Sequence, residues 1–172
     1  SNRGIVLQSY ATGAVTGEQY VGGLMGDNWG TISQSYATGV INGTEQVGGL
    51  VGYLAFSSDI IQSYATGAVT GEQYVGGLVG GNSNERELTN YTTGETETNP
   101  DFGGDIIQSY ATGTVTGTNH VGGLVGFNDG VITQSYATGT VTGDEHIGGL
   151  VGSNEYSSPF GDDISITQSY AT

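Results

Sequence analysis

Eight aromatic residues stand in the irregular segments of this sequence, and their ring chemistry suits a binding surface. An aromatic ring stacks on the apolar face of a sugar or packs against a protein side chain, while nearby carboxylates accept hydrogen bonds from hydroxyl groups. The alternative is that the rings only fasten loops to the body of the protein. The candidate ligand-binding residues are Trp29, Tyr53, Phe56, Tyr91, Phe102, Phe127, Tyr156 and Phe160.

Four aspartates in glycine-containing loops are the candidate metal ligands: Asp101, Asp105, Asp162 and Asp163. Calcium is the natural metal for them, because it is a hard cation that takes several carboxylate and carbonyl oxygens. The sequence has neither EF-hand spacing nor a Gly-Gly-x-Gly-x-Asp repeat. Solvated loop acids are the competing interpretation, since charged side chains are mostly exposed. Calcium is the one candidate cofactor.

The two histidines, His120 and His146, are 26 residues apart and occupy the same place in a repeating pattern. Two ligands without a third nearby make a poor zinc site. Neither histidine accompanies a nucleophile motif of the Ser-His-Asp type. A pair of loop carboxylates is all that a glycosidase needs, so a polysaccharide-degrading β-helix enzyme stays as a lesser alternative. We expect no catalytic residues.

The negative net charge limits the classes of partner that the protein can bind. The 172 residues include 17 acidic side chains and 2 arginines, which give a net charge of −15. Such a surface repels phosphates, so we expect neither nucleic-acid binding nor adsorption to anionic membranes. No apolar run approaches the length of a membrane-spanning helix, and cysteine is absent, which excludes disulfides and thiolate metal sites.

A repeat accounts for the 33 glycines. The string Gln-Ser-Tyr-Ala-Thr begins at Gln8 and recurs at spacings of 26, 28, 46, 26 and 34 residues. A second string, Val-Gly-Gly-Leu-x-Gly or its isoleucine variant, follows each of the first five copies at a fixed offset. All length variation therefore falls after the second string. The three long insertions cover residues 53–59, 81–105 and 153–165.

Three short stretches with β character recur in each 26-residue unit, and glycine separates them. This pattern predicts an all-β protein, a three-sided parallel β-solenoid with one repeat per turn and about six rungs, in a single array over residues 1–172. Three apolar columns would fill its interior. They begin at Val6, Val15 and Leu24.

In-register stacking would also align identical polar and aromatic side chains. The copies of Gln8 would form an amide ladder and the copies of Tyr10 an aromatic stack. Strict alternation from Val6 places both on one face with it, whereas a bend near Ala11 would reverse the tyrosines. The direction of the tyrosine column, and the handedness of the coil, therefore stay open.

Since every insertion leaves the coil at one corner, the inserted segments should project along one edge of the prism. Twelve of the 17 acids and all eight candidate aromatic residues are at this corner, in the insertions or in the short connections that replace them in other repeats. That edge is the predicted binding surface. Its candidate ligands are a glycan and a host or cell-surface protein.

The five copies of Gly-Leu-x-Gly, the first at residues 23–26, together with Ser-Tyr-Ala-Thr-Gly upstream, resemble the GLUG repeats of large bacterial secreted and surface proteins, adhesin-like proteins among them. The resemblance implies a passive, extracellular repeat module in which neighbouring repeats of a longer parent protein are partners. It implies a stalk or display role in cell adhesion. The alternatives are calcium-dependent carbohydrate binding and, from Thr114-Val115-Thr116 and Thr140-Val141-Thr142 in adjacent repeats, an ice-binding threonine surface.

Overall fold

The computed structural model describes residues 1–55, 58–83, 87–89, 96–98, 103–155 and 164–172, with the backbone alone for 87–89 and 96–98. In these residues every regular element is a β-strand, and no helix is present that could span a membrane. The chain winds through successive circuits, here called rungs, which begin at residues 5, 31, 59, 105, 131 and 165. A separate antiparallel pair joins Glu87–Thr89 to Thr96–Thr98.

Five parallel sheets run along the stack, each with one strand from every rung it contains. The first sheet contains Ile5–Leu7, Thr31–Ser33, Asp59–Ile61, Asp105–Ile107, Val131–Thr133 and Ser165–Thr167. The second contains Tyr10–Ala11, Tyr36–Ala37, Tyr64–Ala65, Tyr110–Ala111, Tyr136–Ala137 and Tyr170–Ala171. The third contains Val15–Thr16, Ile41–Asn42, Val69–Thr70, Val115–Thr116 and Val141–Thr142.

The last two sheets come from the Val-Gly-Gly-Leu string. The fourth contains Gln19–Gly22, Glu45–Gly48, Gln73–Gly76, Asn119–Gly122 and Glu145–Gly148. The fifth contains Met25–Asn28, Val51–Leu54, Val79–Asn82, Val125–Asn128 and Val151–Asn154. The parallel β-solenoid and its 26-residue period are confirmed, but a rung has five strands instead of the three predicted stretches. Two of those stretches bend in the middle and each contributes two strands.

The first bend lies at the glutamine of each Gln-Ser-Tyr-Ala-Thr string, where φ is 49° to 51°. This left-handed residue interrupts the alternation, so the serine after it points inward and the tyrosine outward. Ser35, Ser63 and Ser109 are fully buried, whereas the tyrosine that follows each of them is partly exposed. The bend thus settles the direction of the tyrosine column, and it lies three residues before Ala11.

Both predicted ladders are present. Each glutamine side-chain amide donates to the next glutamine in the column, at 3.0 to 3.4 Å. The six tyrosine rings stack with centroids 4.9 to 5.3 Å apart and planes within 8° of parallel. These contacts connect every rung to the next along the outer face of the second sheet.

The apolar columns pair in register and fill two cores. Val6 pairs with Ile32, and Val15 with Ile41. One core cluster joins the first, second and fifth sheets, and includes Ile32 and Leu50. A smaller cluster joins the third and fourth sheets. Ile32, Ile41 and Leu50 are completely buried, so all three predicted columns lie inside.

Glycine lets the fourth and fifth sheets meet at backbone distance. A Cβ added to Gly80 would lie 2.5 Å from the carbonyl carbon of Gln46 and 2.5 Å from the amide nitrogen of Val47. The equivalent glycine one rung earlier, Gly52, faces the backbone of Tyr20 in the same way. None of the described glycines has φ in the left-handed range, so close approach, and not backbone conformation, accounts for this column.

A buried asparagine column closes the corner at which the rungs join. The Asn82 amide donates to the Gly104 carbonyl and to Asn128 Oδ1, both at 2.8 Å, and its Oδ1 accepts from the Gly104 amide at 2.7 Å. Asn128 bonds Gly130 and Asn154 in the same way. Leu54 interrupts the column in the second rung. This internal ladder was not predicted from the sequence.

Candidate functional site

Two columns of side chains flank the line where the fourth and fifth sheets meet, and together they form what we call the edge groove. The fourth-sheet column is Tyr20, Gln46, Tyr74, His120 and His146. The fifth-sheet column is Asp27, Tyr53, Gly81, Phe127 and Ser153. Every member of the first column has φ between 52° and 54°, which removes it from the strand's alternation.

Side chains meet across the groove from one rung to the next. Tyr20 contacts Tyr53 edge to face, with centroids 5.7 Å apart, and Tyr74 contacts Phe127 likewise at 5.9 Å. Between these pairs, Gln46 lies opposite Gly81, whose missing side chain leaves space. A Cβ added there would meet the Gln46 side chain at an ordinary 3.5 Å. The groove is therefore open at Gln46 and bounded by two aromatic pairs.

The opening consists of two clefts that share Gln46. One has a volume of about 230 Å³ and is lined by Tyr20, Asp27, Trp29, Gln46 and Tyr53. The other has a volume of about 110 Å³ and is lined by Glu45, Gln46, Tyr74, Gly81, Ser83 and Phe127. Concave sites that mix rings with a few polar groups are typical of small-ligand binding.

Two residues that line the larger cleft, Asp27 and Gln46, each have a buried side-chain oxygen without a donor among the described residues. Asp27 Oδ1 and Gln46 Oε1 are inaccessible to solvent, and neither receives a hydrogen bond within the part of the chain that the structure describes. A buried acceptor without a donor is unfavourable, so these two oxygens lower the stability of the fold at this place. The guanidinium of Arg3 stacks on Trp29 at the same cleft, 5.7 Å from the ring centroid.

Three of the eight predicted aromatic residues, Trp29, Tyr53 and Phe127, line the groove. Tyr53 also fastens the chain, as the alternative interpretation held: it is 8 % exposed and its hydroxyl donates to the Ser83 carbonyl at 2.8 Å. The other five, Phe56, Tyr91, Phe102, Tyr156 and Phe160, lie outside the described residues.

Sequence reasoning missed Tyr20, Asp27, Gln46 and Tyr74. The first and the last two belong to the column that also holds both histidines, and its varied composition suggested a tolerant surface position. The sequence signal that could have identified this column is its fixed position immediately before each Val-Gly-Gly string.

Of the predicted calcium ligands only Asp105 is described, and Asp101, Asp162 and Asp163 lie outside the described residues. Asp105 pairs in register with Asp59 in the first sheet. Burial, and then the negative charge of Asp59, raise the pKa of the Asp105 carboxyl. Among the described residues no three His, Cys, Asp or Glu side chains gather as a metal site would require, and calcium binding stays a prediction.

The two histidines stack in adjacent rungs, with ring centroids 4.4 Å apart and planes at 13°. His146 Nδ1 is 2.9 Å from Asn119 Oδ1. Burial and the neighbouring His146 lower the pKa of His120, while Glu155 and Glu145 partly oppose this change. The pair therefore extends the aromatic lining of the groove beyond Phe127, which lies 6.3 Å from the His120 ring.

Threonines form two exposed columns, one in the third sheet and one directly after the second sheet. The predicted array of Thr114, Thr116, Thr140 and Thr142 is exposed, and Thr116 and Thr142 are in register with Thr16, Asn42 and Thr70 of the earlier rungs. A second column was not predicted and has no interruption: Thr12, Thr38, Thr66, Thr112, Thr138 and Thr172, also all exposed.

A family model described as the GLUG motif matches residues 43–70 and 117–142. No curated protein and no solved structure matches the chain. Each matched stretch runs from the end of the third sheet through the glycine-rich fourth and fifth sheets into the next rung. Two glycines of each stretch, Gly48 and Gly52 in the first and Gly122 and Gly126 in the second, lie where the two sheets touch. The chain thus carries GLUG motifs, within an array whose other rungs repeat the same Gly-Leu-x-Gly spacing.

Proposed function

We propose that this chain is a non-enzymatic, extracellular repeat module of a bacterial surface protein, which displays other parts of that protein and binds a ligand along the edge groove. The observation that carries the binding role is the opening at Gln46 between two aromatic pairs. The extracellular setting follows from the resemblance to repeats of secreted and adhesin-like proteins. Neighbouring repeats, and a glycan or cell-surface protein, are the proposed partners.

The continuous ladders support the display role. Backbone bonds, glutamine amides and stacked tyrosines join all consecutive rungs, and buried asparagines join those beyond Leu54. In-register ladders of this kind give a stiff rod, because each rung contacts the ones before and after it. A stiff rod holds its edge in a fixed orientation, which suits presentation of a groove to a surface.

Replacing Gly81 with phenylalanine tests the groove directly. Phe127 and Tyr53 stand in the same column, so we expect the backbone at Gly81 to accept a large ring. We expect Gly81→Phe to fold normally and to lose binding to intact bacterial or host cells and to a glycan array, each probed with and without calcium. Ala68→Phe, which adds the same bulk in the outward column before the third sheet, is the matched control.

The outcomes distinguish a module that binds a ligand from one that only displays other parts of the protein. Loss of binding in Gly81→Phe but not in Ala68→Phe supports an adhesive groove. Equal binding by wild type and both variants would place the ligand elsewhere. If the wild-type chain binds neither cells nor any glycan, display is the only proposed role that remains. Binding only with calcium would favour the calcium-dependent alternative.

Ice binding is a second candidate, and the uninterrupted column of six exposed threonines favours it. Regular hydroxyl and methyl groups at the roughly 4.8 Å rung spacing present an ordered surface to water. Thermal hysteresis and inhibition of ice recrystallisation would measure this activity, and Thr66→Arg should reduce both. Null results for the wild-type chain in both assays would remove the candidate.

A further inference from the structure

We infer that two copies of this chain associate side by side through a charge-free surface on the second sheet. This surface, here called the neutral face, consists of three outward columns that run through all six rungs and begin at Gln8, Tyr10 and Thr12. The neutral face is separate from the edge groove, and self-association is a role beyond display and ligand binding.

The absence of charge distinguishes this surface from most of the rung. Of the five parallel sheets that the structure describes, only the second and third contain no acidic or basic residue. The other three contain acids: Asp59 and Asp105 in the first, Glu45 and Glu145 in the fourth, and Asp27 in the fifth. Two copies that each carry a net charge of −15 repel one another where their acids meet. A contact through the neutral face brings no acid directly opposite another.

The side chains of the neutral face are suited to the core of an interface. Every glutamine and threonine of the two outer columns is exposed, and the six tyrosines between them are exposed or half-buried. A glutamine such as Gln62 uses one N–H of its amide in the ladder, which leaves the second N–H for a partner. Burial, and then the neighbouring Tyr136 and Tyr64, raise the pKa of Tyr110, so its hydroxyl stays neutral. Interface cores are depleted of charged residues and enriched in tyrosine.

The rung spacing favours a second copy as the partner. Equivalent side chains repeat at roughly 4.8 Å along each column, because the strands pair in register. A second copy repeats at the same spacing, so a contact made at one rung recurs at every rung of the stack. A partner with any other spacing would match the face at only a few places. Two identical faces related by a twofold axis form a closed, self-complementary pair.

The size of the neutral face predicts a weak and reversible dimer. Six rungs span about 29 Å, and the four residue steps from Gln8 to Thr12 span about 13 Å. Each copy therefore contributes roughly 400 Å², which is about half the area of a standard protein–protein interface. Asp59 and Asp105 precede the glutamine column by three residues, so repulsion at the margin of the contact weakens the pair at low salt.

Sedimentation equilibrium of the full chain, from about 10 µM to about 1 mM, measures the association. We expect a reversible monomer–dimer equilibrium that tightens as salt rises from about 20 mM to about 500 mM, because salt screens the acids. Small-angle X-ray scattering at the highest concentration should fit a side-by-side pair. A chain that stays monomeric, a dimer that weakens with salt, or an end-to-end pair of doubled length would overturn the inference.

A charge placed on the neutral face tests whether that face forms the contact. Thr112 is exposed in the threonine column of the fourth rung. Thr112→Glu puts one acid from each copy into the contact and should weaken dimerisation about tenfold or more. Thr118→Glu is the matched control, because it adds the same charge at an exposed position where the preceding rung has Glu72. It should weaken dimerisation less than about threefold; equal effects of the two variants would refute the assignment.

Thr112→Lys distinguishes two facing neutral faces from a neutral face that contacts an acidic surface of the second copy. In the second arrangement the lysine would attract acids and tighten the dimer. In the first it brings like charges together, and we expect a loss of about tenfold or more, as for Thr112→Glu. A tighter dimer would overturn the inference. Thermal unfolding shows whether each variant keeps its fold, and Thr66→Glu in the preceding rung replaces Thr112→Glu if that variant does not.

Discussion

Residues with positive φ decide which side chains face solvent. The glutamine column and the column from Tyr20 to His146 adopt φ near 50° although neither contains glycine. A left-handed non-glycine residue costs about 1 kcal/mol or more, and the neighbouring ladder contacts offset part of it. Because the chain reverses its alternation there, tyrosines stack outside and serines bond inside. The column from Tyr20 to His146 reverses its alternation in the same way, and its side chains therefore face the edge groove.

At His120 the structure predicts a dependence of stability on pH. Burial and the neighbouring His146 lower the pKa of His120 below its unfolded value of 6.5. The folded chain therefore binds this proton less tightly than the unfolded chain does. The contribution of neutral His120 to the free energy of unfolding is complete above pH 6.5, and it is lost as the pH falls toward the lower folded pKa. Chemical unfolding from about pH 5.5 to 7.5 should show stability falling toward acid.

His120→Gln should flatten that profile, because glutamine occupies the same column at Gln46 with the same φ. The change in slope cannot exceed the single proton that one histidine binds. Asp105, whose pKa is raised, acts in the opposite direction, with stability present below pH 3.8 and lost as the pH rises through its folded pKa. A profile identical in wild type and His120→Gln would contradict the assignment.

Replacing a buried asparagine should lower the stability of the protein substantially. Asn82→Ala removes two donated bonds and one accepted bond at a fully buried corner. The Gly104 amide and the Asn128 side chain would then lose partners inside the protein. We expect the free energy of unfolding to fall by about 2 to 3 kcal/mol. Asn42→Ala, at an exposed position, should change it by less than about 0.5 kcal/mol; equal effects would show that the corner ladder is unimportant.

Residue identity alone predicted the glutamine ladder and the tyrosine stack, because both columns are uninterrupted and in-register stacking makes equal residues neighbours. It did not predict the asparagine ladder. Leu54 breaks that column, and insertions of different length follow it, so the copies align poorly in the sequence. Nor could it orient the tyrosines, since the left-handed glutamine leaves no mark in the residue pattern.

Among the elements, the two glycine-rich sheets are unusual because backbone faces backbone. Most packed sheets are separated by a layer of side chains about 10 Å thick. Here Gly52 and Gly80 place strands of one sheet directly against strands of the other. The recurring glycines of the motif are thus a packing requirement, and the valine and leucine between them point into the two cores.

Gly80→Ala should therefore be costly. Its Cβ would approach the backbone at Gln46 and Val47 to 2.5 Å, and backbone in two paired sheets cannot move aside easily. We expect a loss of about 3 kcal/mol in the free energy of unfolding, measured by denaturant titration. Gly13→Ala is the control, because open space surrounds that position, and it should cost less than about 1 kcal/mol. Similar costs at both sites would refute the close-contact explanation.

The element pattern was predictable to the level of β-stretches but not of strands. Valine, isoleucine and threonine between glycines marked three extended stretches in each repeat. The bends within two of them depend on tertiary contacts: one at a left-handed glutamine, the other at the Gly-Leu pair between the fourth and fifth sheets. The two bends produce no hydrophobic periodicity that could be recognised in the sequence.

Over the whole molecule, the stack should tolerate removal of its longest insertion. Deleting residues 84–103 would join Ser83 to Gly104 and reproduce the four-residue connection Phe127-Asn128-Asp129-Gly130 of the next rung. Asn82 could still donate to Gly104, as Asn128 does to Gly130. We expect the β-type circular dichroism and cooperative unfolding of the parent chain. An unfolded or aggregated product would show that the insertion is part of the core structure.

The edge groove exists only in the assembled stack, and this limits what the sequence reveals about it. Each contact across the groove joins one rung to the next, as Tyr20 does with Tyr53. The insertion corner and three of its aromatic residues were predicted from the repeat spacing. The facing column, and the space created by Gly81, become visible only once the fourth and fifth sheets are placed side by side.

The central claim, that the edge groove is the ligand-binding surface, is tested most directly by the fluorescence of Trp29. It is the single tryptophan of the chain and lines the larger cleft, so its emission reports on that site alone. Titration with a glycan that the array identifies as bound should shift Trp29 emission to shorter wavelength, saturably, and Gly81→Phe should abolish the shift. Glycan binding that leaves the Trp29 emission unchanged would contradict the claim.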